Sequence, residues 1–259
     1  CRDHESYLQP LKRIMKTLVV LPSYNEKENI NRLISAILSL SESFYVVVVD
    51  DNSPDGTFDA VEEARKLMPS VTQDRLHLVK RLAKDGRGGA VWDGMRWGLA
   101  SELNFDSFVE MDCDFSHDPS EIKSGLLLIA QGYDLVLGSR YPDGKILNWP
   151  LKRRIFSRVA NFLCRILISL KFHDYTNGYR FYNRKAAMHL SQSSTLFKGY
   201  INLSETLAKL LKHKFSIGAF PIVFENRKLG KSNTDLKEML GSFFAIFQIA
   251  ARYWFDRRF

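Results

Sequence analysis

Five short apolar runs recur over the first 140 residues, and a segment of helical character separates each from the next. TLVVLP (17–22) and FYVVVVDD (44–51) are β-branched and end in polar residues, as buried parallel strands do. RLHLVK (75–80), SFVEMD (107–112) and DLVLGSR (134–140) continue the series. Between the first two, Asn29, Ile30, Leu33, Ile34, Ile37 and Leu38 share one helical face; residues 57–68, 89–103 and 119–130 fill the later gaps. The alternation predicts an α/β fold, a mostly parallel sheet with helices on both faces. In such sheets ligands bind beyond the carboxyl ends of the strands.

After Arg140 the alternation breaks. Residues 141–150 read as a loop, 151–170 as a long basic helix and NGYRFYNR (177–184) as a strand. Helices are expected near 185–191 and 203–212, then FSIGAFPIVFE (215–225) as one strand. MLGSFFAIFQIAARYWF (239–255) is interrupted by Gln248 and Arg252. It predicts an amphipathic helix, docked on the core or lying on a membrane surface, rather than a transmembrane span. The expected organisation is an extension over 1–16, one compact domain over 17–233 and the C-terminal helix over 234–259.

Lys and Arg number 37 against 29 acids in 259 residues, a net charge of +8 that suits an anionic partner. Cys1, Cys113 and Cys164 have neither CxxC nor zinc spacing, which points to a reducing compartment without a disulfide framework. Residues 1–16 are polar and mixed in charge, so no signal peptide is expected.

The chemistry-bearing segments all fall at predicted strand ends: PSYNE, DDNSPDG, DCDFSHD and GSRY. Strand alternation puts Asp112 and Asp114 on one side and Cys113, a packed small side chain, on the other. Two such carboxylates suit a hard divalent cation held together with substrate phosphates. The same pair also fits a solvated turn, with Asp118 capping the helix that starts at Pro119. DNSPDGTFDAVE (51–62) nearly matches a calcium loop, but a strand precedes it where that loop needs a helix, so it reads as a strand-to-helix turn. Asp51 there can meet a base or ribose edge. KDGRGGAVWDG (84–94) reads as a tight turn before a helix, or as a helix N-terminus that faces phosphate. Arg140, Lys152, Arg153, Arg154, Arg158, Arg180 and Arg227 form either a solvated face or a phosphate clamp. His117 reads as a turn residue.

PSYNEKENI, VVVDDNSPDGT, MDCDFSHDP, GSRY, LKRRIFSRVAN and FENRKLGKS, in this order from about 17 to 232, resemble the family-2 glycosyltransferases that make dolichyl- or polyprenyl-phosphate mannose. The resemblance implies a GT-A fold and transfer of mannose from GDP-mannose to a lipid phosphate, with Mg2+ or Mn2+. Carried over by position, Pro22, Tyr24, Glu26, Val49 and Asp51 would line the guanosine site. Asp112, Cys113 and Asp114 would meet the sugar diphosphate, with Asp112, Asp114 and Ser116 on the metal. Arg140 and Arg227 would hold phosphates. Arg153, Arg154, Ser157, Arg158 and Asn161 would surround the acceptor phosphate. Asp112, Asp114 and Arg140 are the expected catalytic residues.

Three segments depart from the family pattern. GRGGAVWDG replaces a form nearer GLGTAYxxG, and DYTNGYR keeps only part of its motif. Asn233 stands where a lysine on the donor phosphate is usual, with Lys231 two residues earlier. A second reading keeps the fold and takes UDP-glucose or UDP-GlcNAc as donor; a third is a non-catalytic nucleotide-sugar-binding subunit. The resemblance implies a place at the cytoplasmic face of a membrane: endoplasmic reticulum in a eukaryote, inner membrane in a prokaryote. Attachment would use the basic helix, the C-terminal helix or an anchoring partner subunit. The basic residues cluster with phosphate-site motifs and no nucleic-acid module is present, so nucleic acid is not an expected partner.

Overall fold

The computed structural model describes residues 15–227 and 236–259. Cys1, Lys231, Asn233 and nearly all of the extension 1–16 lie outside the described residues. The first half follows the alternation: β1 (Thr17–Ser23), α1 (Ile30–Leu40), β2 (Phe44–Asp50), α2 (Thr57–Lys66), the one-turn α3 (Ser70–Gln73), β3 (Leu76–Lys80), α4 (Arg87–Ala100) and β4 (Ser107–Glu110). A 3-10 turn over Pro119–Glu121, capped by the Asp118 side chain, leads into α5 (Ile122–Ala130) and β5 (Leu135–Ser139). Then come β6 (Lys145–Leu147), α6 (Leu151–Leu167), β7 (Arg180–Asn183), α7 (Arg184–Gln192), α8 (Asn202–Lys212), β8 (Ile217–Pro221), β9 (Val223–Glu225) and α9 (Leu236–Phe255).

The large sheet has the order β3-β2-β1-β4-β7-β5-β8. Only β7 runs antiparallel to its neighbours β4 and β5. Strand alternation divides the core in two. Leu18 and Val20 join the residues of α4, α7 and α8; Val19 and Leu21 join those of α1, α2 and α5. The chain leaves β1 for β2 on one side and returns to β4 on the other. This reversal opens a crevice beyond Ser23, Asp50 and Glu110, where such sheets take their ligands.

Two expectations change in the second half. The 141–150 loop contains β6, and the 215–225 strand breaks into β8 and β9, which belong to different sheets. The break falls at Ile222, whose N–H donates to Ser139 O while its carbonyl accepts from Lys145 N–H. Pro221, just before it, has no N–H with which to extend the β5 ladder.

Helix α9 docks one face on the core and leaves apolar side chains exposed on the other. Ala245, Ile246, Ile249 and Ala250 are buried, and Trp254 Nε1 donates to Leu167 O of α6 at 2.8 Å. Phe244, Phe247, Trp254 and Phe255 are exposed. Among the described residues no helix is long and apolar enough to cross a membrane.

Candidate active site

The DCDFSHD segment is a turn, because β4 stops at Glu110, two residues before the first aspartate. The turn is held from inside. Asp112 N–H donates to His117 Nδ1 at 3.1 Å, and His117 Nε2 meets Asn177 Oδ1 at 3.0 Å. An Nδ1 that accepts and an Nε2 that donates define a neutral imidazole, and burial holds its pKa below the ordinary value. His117 is fully buried and stacks on Tyr179 at 4.8 Å. It positions Asp112 through the backbone. Phe115, in the left-handed region at φ 60°, completes the turn, and Ser116 N–H donates to Asp114 Oδ1 at 3.0 Å. The aspartates thus meet the crevice through this turn rather than through strand alternation. Cys113 is packed, its thiol donating to Pro22 O.

Each aspartate faces an arginine from a distant segment. Arg87 Nε donates to Asp112 Oδ1 at 2.7 Å, and Arg87 Nη1 pairs with Glu110. Glu110 also accepts from the Tyr182 hydroxyl at 2.9 Å. Burial alone would lower the Arg87 pKa, but the carboxylates of Asp112 and Glu110 win and raise it. Burial alone would raise the Asp112 pKa, but Arg87 above all, with Arg227 adding to it, brings it below the usual carboxylate range. Arg87 is delivered by Gly86, whose φ of 84° favours glycine. A Cβ there would also meet Lys198 O at 2.5 Å. Arg227 bridges the other acids: Nη2 to Asp114 Oδ2 at 2.7 Å and Nη1 to Glu26 Oε1 at 3.2 Å.

Glu26, Arg87, Asp112 and Arg227 line a charged cavity with Pro22, Tyr24, Asp51, Lys84 and Tyr200. Lys84 Nζ sits 3.9 Å from the Tyr24 ring centroid, and Asp51 is paired with Arg81. Pro22, Tyr24, Glu26, Asp51, Asp112, Cys113 and Arg227 therefore come together as the sequence predicts. Asp114 lies alongside, on Arg227. Val49 does not join them: its side chain is fully buried under α4, within reach of a Cβ on Gly94. The calcium-like segment is used up locally. Asp50 accepts from Ser23 Oγ and from Ser53, and Asp55 accepts from Thr57 N–H.

Glu26 carries a testable pH signature. Burial pushes its carboxyl from 4.5 up to about 7, against the opposing pull of Arg227 and with Asp114 adding to the rise. Between those values the folded chain binds more protons than the unfolded one, so stability falls as pH rises through the window. Glu26→Gln removes this dependence. In the metal-free protein, the wild type should lose on the order of 2 kcal/mol relative to the variant between pH 4.5 and 7. Denaturant midpoints that stay parallel across this range would refute the assignment.

A second cavity of about 360 Å³ adjoins the first and is largely apolar. Asp112 and Tyr200 line both. Trp149, Phe156, Phe224 and Ile246 form much of its wall, with Arg140, Arg153 and Ser157 as polar groups. Arg140 is held by Asp174 at 2.8 Å through both Nε and Nη2, with Thr176 Oγ1 also at 2.8 Å. Arg153 lies 4.0 Å from the Trp149 ring centroid. Burial, with Arg140 adding to it, lowers the Arg153 pKa. Two guanidiniums beside an apolar wall favour an anion with an apolar tail.

The predicted acceptor set is divided by helix geometry. One residue is about 100° of rotation on α6. Arg153 and Ser157, four apart, share the cavity face. Arg154 turns away to donate to Ile146 O, and Arg158 lines a different groove. Asn161 is engaged by Ser157 O, Thr176 and Tyr175 N–H, which makes it a strut of the Asp174–Thr176 loop. Arg180 is fully buried, donating to Asn177 O, Thr206 Oγ1 and Tyr175 O, so it belongs to the core rather than to a phosphate clamp.

Asp112 and Asp114 fit a divalent cation of the kind that substrate phosphates complete. Both are hard oxygen donors, and a guanidinium already occupies one oxygen of each. Among the described residues no group of three or more His, Cys, Asp or Glu side chains is arranged to hold a metal alone. Arg87, Glu110, Lys84, Tyr200 and Asp174 escape a sequence reading. Arg87 hides in a stretch legible as a glycine turn or a helix N-terminus, and Tyr200 lies between predicted elements.

Residues 18–191 match the glycosyl transferase family 2 profile. The chain is 35% identical over 243 residues to the polyprenol monophosphomannose synthase of Mycolicibacterium smegmatis, covering 93% of this chain and 89% of that protein. It is 37% identical over 222 residues to the undecaprenyl-phosphate mannosyltransferase of Micrococcus luteus, covering 84% and 87%. Its fold is similar to that of glucosyl-3-phosphoglycerate synthase from Mycobacterium tuberculosis, crystallised with Mn2+, UDP and glucosyl-3-phosphoglycerate. The TM-score is 0.64 at 18% identity, over 92% of this chain and 80% of that one. At that identity the likeness speaks for the GT-A fold alone.

Proposed function

The chain belongs to glycosyl transferase family 2 and is a glycosyltransferase, and from that premise we propose that it transfers mannose from GDP-mannose to a dolichyl or polyprenyl phosphate, with inversion. The observation that carries this reading is the pair of cavities meeting at Asp112 and Tyr200, one lined by acids and cations alike, the other apolar with two arginines. A nucleotide sugar suits the first and an amphiphilic phosphate suits the second. The names of the two relatives support the same substrate class.

A lipid monophosphate has its second pKa near 6, so it is already a nucleophile at neutral pH. The site must supply alignment and charge neutralisation rather than a strong base. Arg140, fixed by Asp174, and Arg153, with Ser157 four residues on, hold the acceptor phosphate. Arg87 and His117 position Asp112. Arg227 leaves Asp114 for the donor diphosphate. Asp112 and Asp114, with Ser116 beside them, would hold Mg2+ or Mn2+, which neutralises the diphosphate as it departs. Tyr24, Glu26 and Asp51 border the guanosine.

Exposed apolar side chains on α6 and α9, among them Leu151, Ile155, Ile166, Phe244 and Phe255, support the reading that the second cavity's rim sits on a bilayer. The two described cysteines are free and buried, which suits the cytoplasmic face. Radiolabel from GDP-mannose should pass into the organic phase when Mn2+ and a short polyprenyl phosphate are supplied. Label passing from UDP-glucose and not from GDP-mannose would overturn the donor assignment.

A further inference from the structure

On the outer flank of α6 lies a groove separate from both cavities, bordered by Tyr141, Arg158, Val159, Phe162, Arg165 and His173. It contains positive groups and no carboxylate. Among the described residues neither Arg158 nor Arg165 forms an ion pair or a side-chain hydrogen bond, and Arg165 Nε is buried without a partner. Two guanidiniums without a counter-charge from the described residues leave the groove open to an anion. Arg158 and Arg165 are seven residues apart, two turns or about 10 Å along the helix axis, so their long side chains can converge on one anion. Val159 and Phe162 are exposed at the same groove, continuous with Ile155 and Ile166 on that face. Guanidiniums at the edge of an apolar stripe match the depth at which lipid phosphates sit.

We propose that this groove binds the phosphate headgroup of an anionic bilayer lipid, through Arg158 and Arg165, at a site distinct from the acceptor cavity. The site rests on the membrane-surface reading given above. It orients α6, and with it the mouth of the apolar cavity, towards the bilayer that supplies the acceptor.

The test is partition of the full chain onto vesicles of phosphatidylcholine, with and without phosphatidylglycerol, in the absence of donor and acceptor. Arg158→Gln/Arg165→Gln should weaken binding to the anionic vesicles about tenfold or more, and leave binding to the neutral ones unchanged. Lys66→Gln/Lys123→Gln removes the same charge from α2 and α5, on the opposite side of the sheet, and should have little effect. Equal losses for the two double variants, or equal losses on both vesicle types, would overturn the site. Arg165→Gln alone should turn over a short soluble acceptor with unchanged KM; a raised KM would move Arg165 into the acceptor site and also overturn the proposal. Failure of mannose transfer leaves the partition result readable. A wild-type chain that binds neither vesicle overturns both the membrane reading and this site.

Discussion

Asp114→Ala is expected to lower kcat/KM for metal-dependent sugar transfer by about 10³-fold. Asp114 is nearly fully buried, and its Oδ2 is the oxygen that faces Arg227. Removing it deletes one of the two proposed carboxylate ligands and leaves Arg227 its pair with Glu26. The Glu26 carboxyl, no longer raised by Asp114, should then ionise more readily and keep the guanidinium compensated. The variant should therefore fold, with a small change in Tm, while losing the thermal shift that Mn2+ gives in the presence of GDP. Full metal-dependent transfer by Asp114→Ala would refute the proposed role of this carboxylate.

Arg87→Ala is expected to show the opposite balance, with a large loss of stability. It strips the common partner from Glu110, which is buried, and from Asp112, which is partly exposed to the cavities. Breaking a buried ion pair from one side typically costs about 3–5 kcal/mol. For a chain of this size that corresponds to a fall in Tm of roughly 10 °C. The loss should ease at low pH, where protonation of the stranded carboxylates removes their charge. A Tm within about 2 °C of wild type at neutral pH, well short of that fall, would show that Arg87 is not the counterion of the turn. Arg87→Lys keeps the charge without the fork, so it should recover part of the stability and little of the Asp112 geometry.

The donor-side residues were expected from the family resemblance; the periodicity of β-branched and amphipathic runs was sufficient for the order of the main elements up to Arg140 and for the strand ends beside which the cavities open. Those features depend on neighbours in the chain, and period 2 or 3.6 expresses them directly. The tertiary structure alone decided which charges meet. Arg87 and Asp112 are 25 residues apart, Arg227 and Glu26 201 residues apart, and only the sheet order brings them into one crevice. It also decided which of two adjacent basic residues on α6 faces the cavity, since a 100° step per residue separates Arg153 from Arg154 once the helix is docked. The burial of Arg180 and Val49, and the change of sheet at Ile222, have the same origin: side-chain type is written locally, whereas solvent exclusion and charge pairing depend on what the rest of the chain packs against each position.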